Sequence, residues 1–404
     1  MLGRLTSYTR QFDNNLWILC GGWFVGALGF AAAIPFLSIY FHTSLGMSMT
    51  EIGVFFGAMA VIRSAFQAIG GEISDRMSRK TLLVYAQLFR AVAFLFLGLA
   101  IDLEMGFWPI ALFMTINSIF GAIYFPALHA LVSDILPEKT RLEGYALTRS
   151  AGNLGWAAGP AIGGFMAHNS YAALFYIAAV ILLASGLIFR FAFGAPAQAR
   201  RDEAFRLADL VTLKNDTRLT THCLLAFLLY LVVAQLIAPF SVYAVDTVGL
   251  SEIQLGYLYT INGLLVALAQ IMVTRMLGGI RFTTQLAIGS VLYFIGYGAM
   301  GFSGNYIYLI TAMIVVTTGE MAMSPPSLTL TSRLAPARQM GRYMGVYGFF
   351  MTAGWSLGPL YGGWFLDRFA GHSQAAWLLI ASLAVVSALG YLWFGKRLDA
   401  SLNR

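Results

Sequence analysis

The sequence predicts an all-α polytopic membrane protein with 12 transmembrane helices, arranged as two pseudo-symmetric six-helix bundles. Its 404 residues are 59% hydrophobic and only 11% charged, whereas a soluble domain has about 25% charged residues. The apolar residues form long runs that reach the roughly 20 residues needed to cross a bilayer. The second half of the chain also repeats motifs of the first half. Together these observations exclude a soluble globular protein.

The twelve predicted spans follow one another with short connections. They cover residues 15–41, 51–74, 81–101, 107–133, 142–167, 171–194, 220–246, 252–275, 282–302, 305–333, 342–366 and 374–395. Helix is expected in each span because lipid offers backbone groups no partner outside the segment. We predict an N-terminal bundle over 1–194, a cytoplasmic linker over 195–219 and a C-terminal bundle over 220–404. Leu207, Leu210 and Val211 are at helical spacing, which indicates a short surface helix in the linker. A solvated segment is the alternative.

The basic residues predict the orientation. Lys and Arg occur at both chain ends and after the even-numbered spans, whereas the opposite connections contain almost none. By the positive-inside rule both termini are cytoplasmic. This topology accounts for the net charge of +7 without a nucleic-acid partner. We expect a multi-pass monomer in a bacterial cytoplasmic (inner) membrane, in contact with membrane lipids.

Catalysis, cofactors and bound metals are not expected. Cys20 and Cys223 both fall within predicted spans, so a zinc cluster or disulfide framework is not indicated. His129 and Asp134 are five residues apart, about 500° around a helix, and therefore do not share a face. No nucleotide-binding loop or nucleophile elbow accompanies them. A channel is disfavoured because the sequence has no repeated set of filter residues.

An internal repeat relates the two halves. A shift of 199 residues superimposes Gly155 on Gly354 and Pro160 on Pro359, within a series of identities that covers two spans. Two six-helix halves in parallel orientation are typical of secondary transporters, in which a cavity between the halves opens to either side. The repeat therefore predicts carriage of a substrate by alternating access.

Spans five and eleven each contain the pattern G-x-x-x-G-P-x-x-G-G. Small residues four positions apart let a neighbouring helix approach closely, and proline bends the span. We interpret the two copies as a hinge face, with simple helix packing as the alternative. The residues are Gly155, Gly159, Pro160, Gly163, Gly164, Gly354, Gly358, Pro359, Gly362 and Gly363.

The first copy of this pattern resembles the antiporter motif of the major facilitator superfamily, in its twelve-span drug:proton antiporter group. Ala146 stands where that motif has another glycine. Residues 71–80, between spans two and three, resemble the signature loop of the same superfamily, with Ser78 in place of a glycine. The resemblance implies the major facilitator fold and, through the antiporter motif, export.

The loop between spans two and three predicts a cytoplasmic gate. A carboxylate at the end of a span can cap a neighbouring helix, and the basic residues can bind anionic headgroups or acidic partners. A basic loop that only sets the topology is the alternative. The predicted gate residues are Gly71, Asp75, Arg76, Arg79 and Lys80.

Four ionisable side chains lie deep within the spans, where such residues are functional candidates. They are Arg63, Arg90, Arg149 and Glu320. Glu320 is the one acid near a bilayer midplane, and desolvation lets a carboxylate pick up and release protons at physiological pH. We predict that Glu320 and Arg149 couple transport to protons, with a structural Glu–Arg pair as the alternative. Arg149 either pairs with Glu320 or holds a substrate anion. Arg63 contacts substrate or pairs with Glu320, and Arg90 is expected to be structural.

The predicted substrate cavity contains Arg63, Gln67, Asn117, Tyr124, Gln235 and Asn262. Relatives with the antiporter motif often have an arginine on span four, in the setting Arg-x-x-Gln-Gly. Here Asn117 and Phe120 occupy the two polar positions. If that arginine assists proton transfer, this chain must relay protons differently, and Arg149 or Arg63 could take its part.

The predicted function is proton-coupled export of amphiphilic small molecules, a multidrug-type efflux by rocker-switch alternating access. The chain has no ATP-binding loop, so an ion gradient must supply the energy. A single deep carboxylate suits a proton better than an ion that needs several oxygen ligands. Three deep arginines against one glutamate support an alternative. In that alternative the protein is a proton-coupled transporter of an anionic metabolite, a siderophore-like compound or a lipid, and it could be an importer.

Overall fold

The computed structural model describes residues 12–137, 140–194, 216–336 and 339–403. Twelve long helices with short connections make up most of this part of the chain. They are α1 (Asn14–Thr43), α2 (Met49–Arg76), α3 (Arg79–Asp102), α4 (Phe107–Ile135), α5 (Arg141–Asn169), α6 (Tyr171–Phe191), α7 (Thr217–Val233), α8 (Glu252–Leu277), α9 (Phe282–Met300), α10 (Tyr306–Leu334), α11 (Met340–Arg368) and α12 (Ser373–Arg397). The predicted all-α class with twelve helices is confirmed.

The predicted spans agree with these helices to within three residues at every boundary except the end of the seventh. Side-chain caps fix several of the starts. Asp216 accepts the Arg218 and Leu219 N–H groups at the start of α7, and Ser251 forms a capping box with Gln254 at the start of α8. Such caps satisfy N–H groups that have no partner within the helix. Because of the Asp216 cap, α7 begins inside the segment predicted as linker.

Within the described residues, nine helices are long and apolar enough to cross a membrane by length and composition. This count treats α7 and its continuation to Thr247 as one helix. The other three are α5, α9 and α11. In α5 and α11 the repeated glycine motif replaces larger apolar side chains, which lowers the hydropathy of the helix without removing its ability to pack on a neighbour.

The described residues group into two compact units. The first unit contains those within 1–37 and 61–202, and the second contains those within 38–60 and 203–404. The second unit thus includes the last turns of α1 and the first turns of α2. Most of the predicted linker, 195–215, lies outside the described residues, and so do the three residues predicted to form its surface helix.

Each unit has its own buried core. In the first unit, Leu16, Leu83, Leu131 and Phe189 belong to one apolar cluster that joins α1, α3, α4 and α6. In the second unit, Tyr297 stacks on Trp377 with ring centroids 5.8 Å apart, which joins α9 to α12. Stacked aromatic rings add to the stabilisation from buried apolar area.

The seventh predicted span is not a continuous helix. Regular α-helix ends at Val233 and is followed by a 3-10 turn (Ala234–Leu236), a short helical turn (Pro239–Val242) and a π-helical turn (Tyr243–Thr247). Pro239 contributes to the break because proline has no N–H and its ring clashes with the carbonyl four residues earlier.

Two tyrosines from α8 and α9, and one glutamine of the break itself, bind the backbone carbonyls around this break. Tyr297 Oη donates to Val233 O at 3.0 Å, Tyr259 Oη donates to Leu236 O, and Gln235 Nε2 donates to Leu231 O at 2.6 Å. Carbonyls released from a helix inside a membrane have no water to bind them. These three contacts therefore give hydrogen-bond donors to carbonyls at the break and reduce its cost in free energy.

Candidate functional site

Glu320 lies at the centre of α10, fourteen residues from either end. Its side chain is half-buried. Asn262 of α8 donates from Nδ2 to Glu320 Oε2 at 3.3 Å and to Thr317 Oγ1 at 2.9 Å. The Thr317 hydroxyl donates to Met313 O at 2.7 Å. The carboxylate is thus held by a neutral amide whose second N–H is anchored on the same helix as the acid.

Two glycines bring α9 against this part of α10. A Cβ built on Gly319 would lie 3.0 Å from Gly289 O, and one built on Gly289 would lie 2.9 Å from Gly319 O. The hydroxyls of Tyr230, Tyr293 and Tyr297 are close enough to interact electrostatically with the Glu320 carboxylate. The surroundings of Glu320 within the second unit therefore include an amide and several hydroxyl groups.

Arg90 forms a second polar site, in the first unit. Its side chain is 4% exposed. Arg90 Nε donates to Asn117 Oδ1 of α4 at 3.0 Å, and Nη1 donates to Gln87 Oε1 at 2.9 Å. Gln87 Nε2 donates to Ser185 Oγ at 2.8 Å, and that hydroxyl donates to Gly22 O at 2.7 Å. Arg90 is thus connected through neutral side chains to α1, α4 and α6.

Aromatic rings border the Arg90 guanidinium. Its Cζ lies 5.1 Å from the ring centroid of Phe30 and 6.0 Å from that of Tyr124, distances at which a ring face attracts a cation. Among the described residues of the first unit, no acid lies within ion-pair distance of Arg90, and three of its five N–H groups make no hydrogen bond. The fully buried Tyr124 hydroxyl also has no partner there. The site is a buried cation with unused donors.

The other predicted cavity and coupling residues differ in exposure. Arg63 is half-buried, and its Cζ lies 5.1 Å from the ring centroid of Phe125. Gln67 and Arg149 are exposed. Gln235 is fully buried and donates from Nε2 to Gly358 O at 2.8 Å, in addition to its bond to α7. A pairing of Glu320 with Arg63 or Arg149 stays a prediction.

The predicted gate residues fall into two groups. The last turns of α2 contain three of them, of which the structure describes the backbone alone: Gly71, Asp75 and Arg76. Arg79 Nη1 lies 2.6 Å from Asp134 Oδ2 and donates to Ala130 O at 2.8 Å, and both charged side chains are buried. Lys80 Nζ donates to Phe193 O at 2.5 Å. Arg79 and Lys80 therefore hold α3 to α4 and to the end of α6 within one unit.

Removing the cation of the buried Arg79–Asp134 pair is expected to destabilise the protein strongly. Breaking such a pair costs about 3–5 kcal/mol because one buried charge loses its partner. The unfolding temperature of detergent-purified Arg79→Gln should therefore be well below that of wild type. The double variant Arg79→Leu/Asp134→Leu should recover most of the loss. A double variant as unstable as the single one would contradict this account.

The first glycine motif packs α5 directly on α1. A Cβ built on Gly155 would lie 2.7 Å from Phe24 O, and one built on Gly159 would lie 2.7 Å from Leu28 O. Gly163 continues the series against Ala32. A side chain at any of these glycines would collide with the α1 backbone, so the motif supplies the surface on which the two helices meet.

The second glycine motif packs α11 on α7 in the same way. A Cβ built on Gly354 would lie 2.7 Å from Phe227 O, and one built on Gly358 would lie 2.8 Å from Leu231 O. Gly362 faces the Gln235 side chain, and Gly363 faces Met49 O. The repeat seen in the sequence is thus also a repeat of contacts, with the first and fifth helices of each half in backbone contact. The role of these residues as a hinge stays a prediction.

Substitution of Gly358 by Ala is expected to destabilise the protein by about 1–3 kcal/mol, the usual cost of forcing extra atoms into a packed contact. The matched control is Gly348→Ala on the same helix, where a Cβ meets nothing within 4 Å. Alanine also favours helix over glycine, so this control should be at least as stable as wild type. Unfolding temperatures measured in one detergent test the difference. Equal temperatures for the two variants would contradict the packing role of Gly358.

Sequence reasoning missed Asp367. Its carboxylate accepts the Met49 N–H at 3.0 Å, the Thr50 N–H at 2.6 Å and the Thr50 hydroxyl at 2.5 Å, at the start of α2. A carboxylate is stabilising at a helix N-terminus because it meets unpaired N–H groups and the positive end of the helix dipole. An acid beside Arg368 at a span end carries no distinctive pattern, and only the fold shows which helix it caps.

Comparison with known proteins agrees with this architecture. The sequence model of the Major Facilitator Superfamily matches residues 19–359 and 223–402. The Na(+), Li(+), K(+)/H(+) antiporter of Planococcus maritimus is 24% identical, over 97% of this chain and 99% of its own length. The multidrug resistance protein MdtH of Salmonella newport is 23% identical, over 97% of this chain and 95% of its own. The chain belongs to the major facilitator superfamily.

A solved structure shows the same fold. The bacterial homologue of the human lysosomal transporter Spinster superimposes with a TM-score of 0.78 at 13% identity, over 96% of this chain and 97% of that one. The protein is therefore a multi-pass membrane protein with the major facilitator fold. Its relatives are transporters, which are not a class of enzymes.

Proposed function

We propose that this transporter exports amphiphilic small molecules in exchange for protons, with Glu320 as the proton-binding group. The observation that carries the proposal is the position of Glu320, a half-buried acid at the centre of α10 that is held by the Asn262 amide. Acids at this depth are costly and are usually functional.

The two protonation states of Glu320 have different requirements. The ionised carboxylate only accepts hydrogen bonds, whereas the protonated acid also donates one. Asn262 Nδ2 donates to Oε2, and a hydrogen bond of this kind is stronger when the acceptor is charged. On protonation the acid gains a donor and its attraction to Asn262 weakens. Proton binding thus changes the contact between α8 and α10, and this local change is the proposed link between the proton and the transport cycle.

Arg90 supplies a guanidinium at the place where related antiporters have an arginine on span four. Asn117 stands at that position of α4 and accepts a hydrogen bond from Arg90 Nε. A Cβ built on Gly121 would lie 3.7 Å from the same nitrogen, so Arg90 also lies beside this residue of α4. In this chain the positive charge beside that position comes from α3. We infer that Arg90 takes the part of the missing arginine.

The relatives support exchange of ions and of drugs as functions for this fold. One is named a cation/proton antiporter and another a multidrug resistance protein. For this chain, the aromatic content of 14% and the 17 methionines suit loose binding of varied amphiphiles. Export is proposed from the antiporter motif together with these names.

The test uses proteoliposomes that contain wild-type protein and ethidium as the transported probe. Ethidium should move when a pH gradient is imposed and should stop when an ionophore collapses it. A sodium gradient alone should have no effect. Movement at the same rate without any gradient would contradict coupling, and movement driven by sodium would contradict the choice of ion.

A second candidate function is proton-coupled transport of an anionic metabolite, a siderophore-like compound or a lipid, with import included. The observation that favours it is Arg90, a buried cation whose described partners in the first unit are amide groups and rings. A buried charge without a counter-ion is costly unless something neutralises it. A substrate carboxylate or phosphate bound at Arg90 would do so.

A further inference from the structure

A groove runs along the surface of the first unit between α3 and α6. Its volume is about 480 Å³. The walls are apolar, and Leu88, Leu183 and Leu187 are all exposed. In a membrane protein, exposed leucines within a span contact lipid tails. The groove can therefore hold an acyl chain.

One end of the groove is cationic. Lys80 lies in the first turn of α3 and Arg190 in the last turn of α6, and both line the groove. No acid is found among the lining residues in the described part of the chain. Because both cations are at helix ends, they lie at the level of lipid headgroups, on the side that the distribution of basic residues predicts to be cytoplasmic.

Each cation has donors left for a ligand. Lys80 Nζ has three donors, and one binds Phe193 O at 2.5 Å, which fixes the position of the ammonium group. Arg190 is exposed, and its Cζ lies 5.5 Å from the ring centroid of the exposed Phe191. The two cations are thus a positioned ammonium and a guanidinium at one end of an apolar groove. This arrangement suits a lipid that has an anionic headgroup and an acyl chain.

We infer that the α3–α6 groove is a binding site for an anionic phospholipid, with the phosphate at Lys80 and Arg190 and one acyl chain along the leucine wall. Basic pockets between helices on the cytoplasmic side recognise anionic headgroups through charge. A small free anion would gain nothing from the leucine wall, so the lipid is the favoured occupant. This site does not depend on the proposed transport function.

Native mass spectrometry of the full-length protein in detergent tests the site, with phosphatidylglycerol and phosphatidylethanolamine of identical acyl chains as probes. Wild type should bind phosphatidylglycerol more tightly. Arg190→Gln should weaken that binding by about fivefold, the contribution expected of one basic residue at an anionic surface. Lys80→Gln/Arg190→Gln should weaken it further. Binding of phosphatidylethanolamine should change little in either variant.

The matched control is Arg397→Gln. Arg397 also lies in the last turn of a helix beside an aromatic ring, with its Cζ 4.1 Å from the ring centroid of Trp393, but it belongs to the second unit. This control should bind phosphatidylglycerol like wild type, and an excess of inorganic phosphate should not displace the lipid. Equal binding of the two lipids by wild type would overturn the inference. So would an equal loss in Arg397→Gln, or displacement by phosphate, which would indicate a site for a free anion.

Discussion

Glu320→Gln is expected to abolish transport driven by a pH gradient while it leaves exchange of substrate at equal pH intact. Glutamine keeps the size of the side chain, and its carbonyl oxygen can accept the hydrogen bond from Asn262, but it cannot bind or release a proton. A difference of one pH unit drives at most about a tenfold substrate gradient per proton exchanged without net charge movement. The variant should build no gradient at all.

Ethidium accumulation in proteoliposomes, with and without the pH gradient, measures this effect. The matched control is Glu252→Gln, which removes an acid from the first turn of α8 in the same unit. It should accumulate ethidium like wild type. Full gradient-driven accumulation in Glu320→Gln, with normal protein levels, would rule out Glu320 as the coupling group. Loss of exchange at equal pH would show a general defect in transport.

Arg90→Gln is expected to weaken the binding of an organic anion by about tenfold or more. Hydrogen bonds to charged groups are worth about 1.5–3 kcal/mol, and the substitution removes both the charge and several donors. Radiolabelled salicylate is the anionic probe, and ethidium is the cationic one. Arg90→Lys keeps the charge but loses the planar fork of donors, so its salicylate affinity should be intermediate. Ethidium binding should not fall in either variant.

Arg281→Gln is the control for loss of positive charge, because Arg281 is an exposed residue just before α9. It should bind salicylate like wild type. Unfolding temperatures separate an anion site from a structural role. If Arg90→Gln binds salicylate normally but unfolds at a much lower temperature, Arg90 is the structural residue that its place on the third span predicted. Failure of wild type to bind salicylate would also count against the second candidate function.

Hydropathy was sufficient to predict nearly all of the helices, because lipid forces each apolar run of this length into one kind of structure. The break after Val233 could not be predicted in this way. The residues around Pro239 are as apolar as those of an unbroken span, and the tyrosines that make the break tolerable come from α8 and α9. Proline alone does not decide the matter, since Pro160 and Pro359 lie inside continuous helices.

In the candidate sites, the sequence was enough to predict the charged residues but not the side chains that bind them. Rarity of charge in the spans was enough to single out Glu320 and Arg90, because a deep charge is costly wherever it occurs. Their partners were not predictable. Asn262 is 58 positions away from Glu320 in the chain, and Asn117 is 27 away from Arg90. Such pairs depend on which helices are neighbours, and periodicity within one span says nothing about that.

The backbone contact between α1 and α5, which α7 and α11 repeat, has a mechanical consequence. Where a glycine of one helix touches carbonyl atoms of the other, there is no side chain between the two backbones whose rotamer could change to absorb a slide. We therefore expect the two helices of each pair to move together as one rigid unit. A carrier must return to the same conformation after every cycle. A rigid helix pair in each half keeps its own packing unchanged while other helices move.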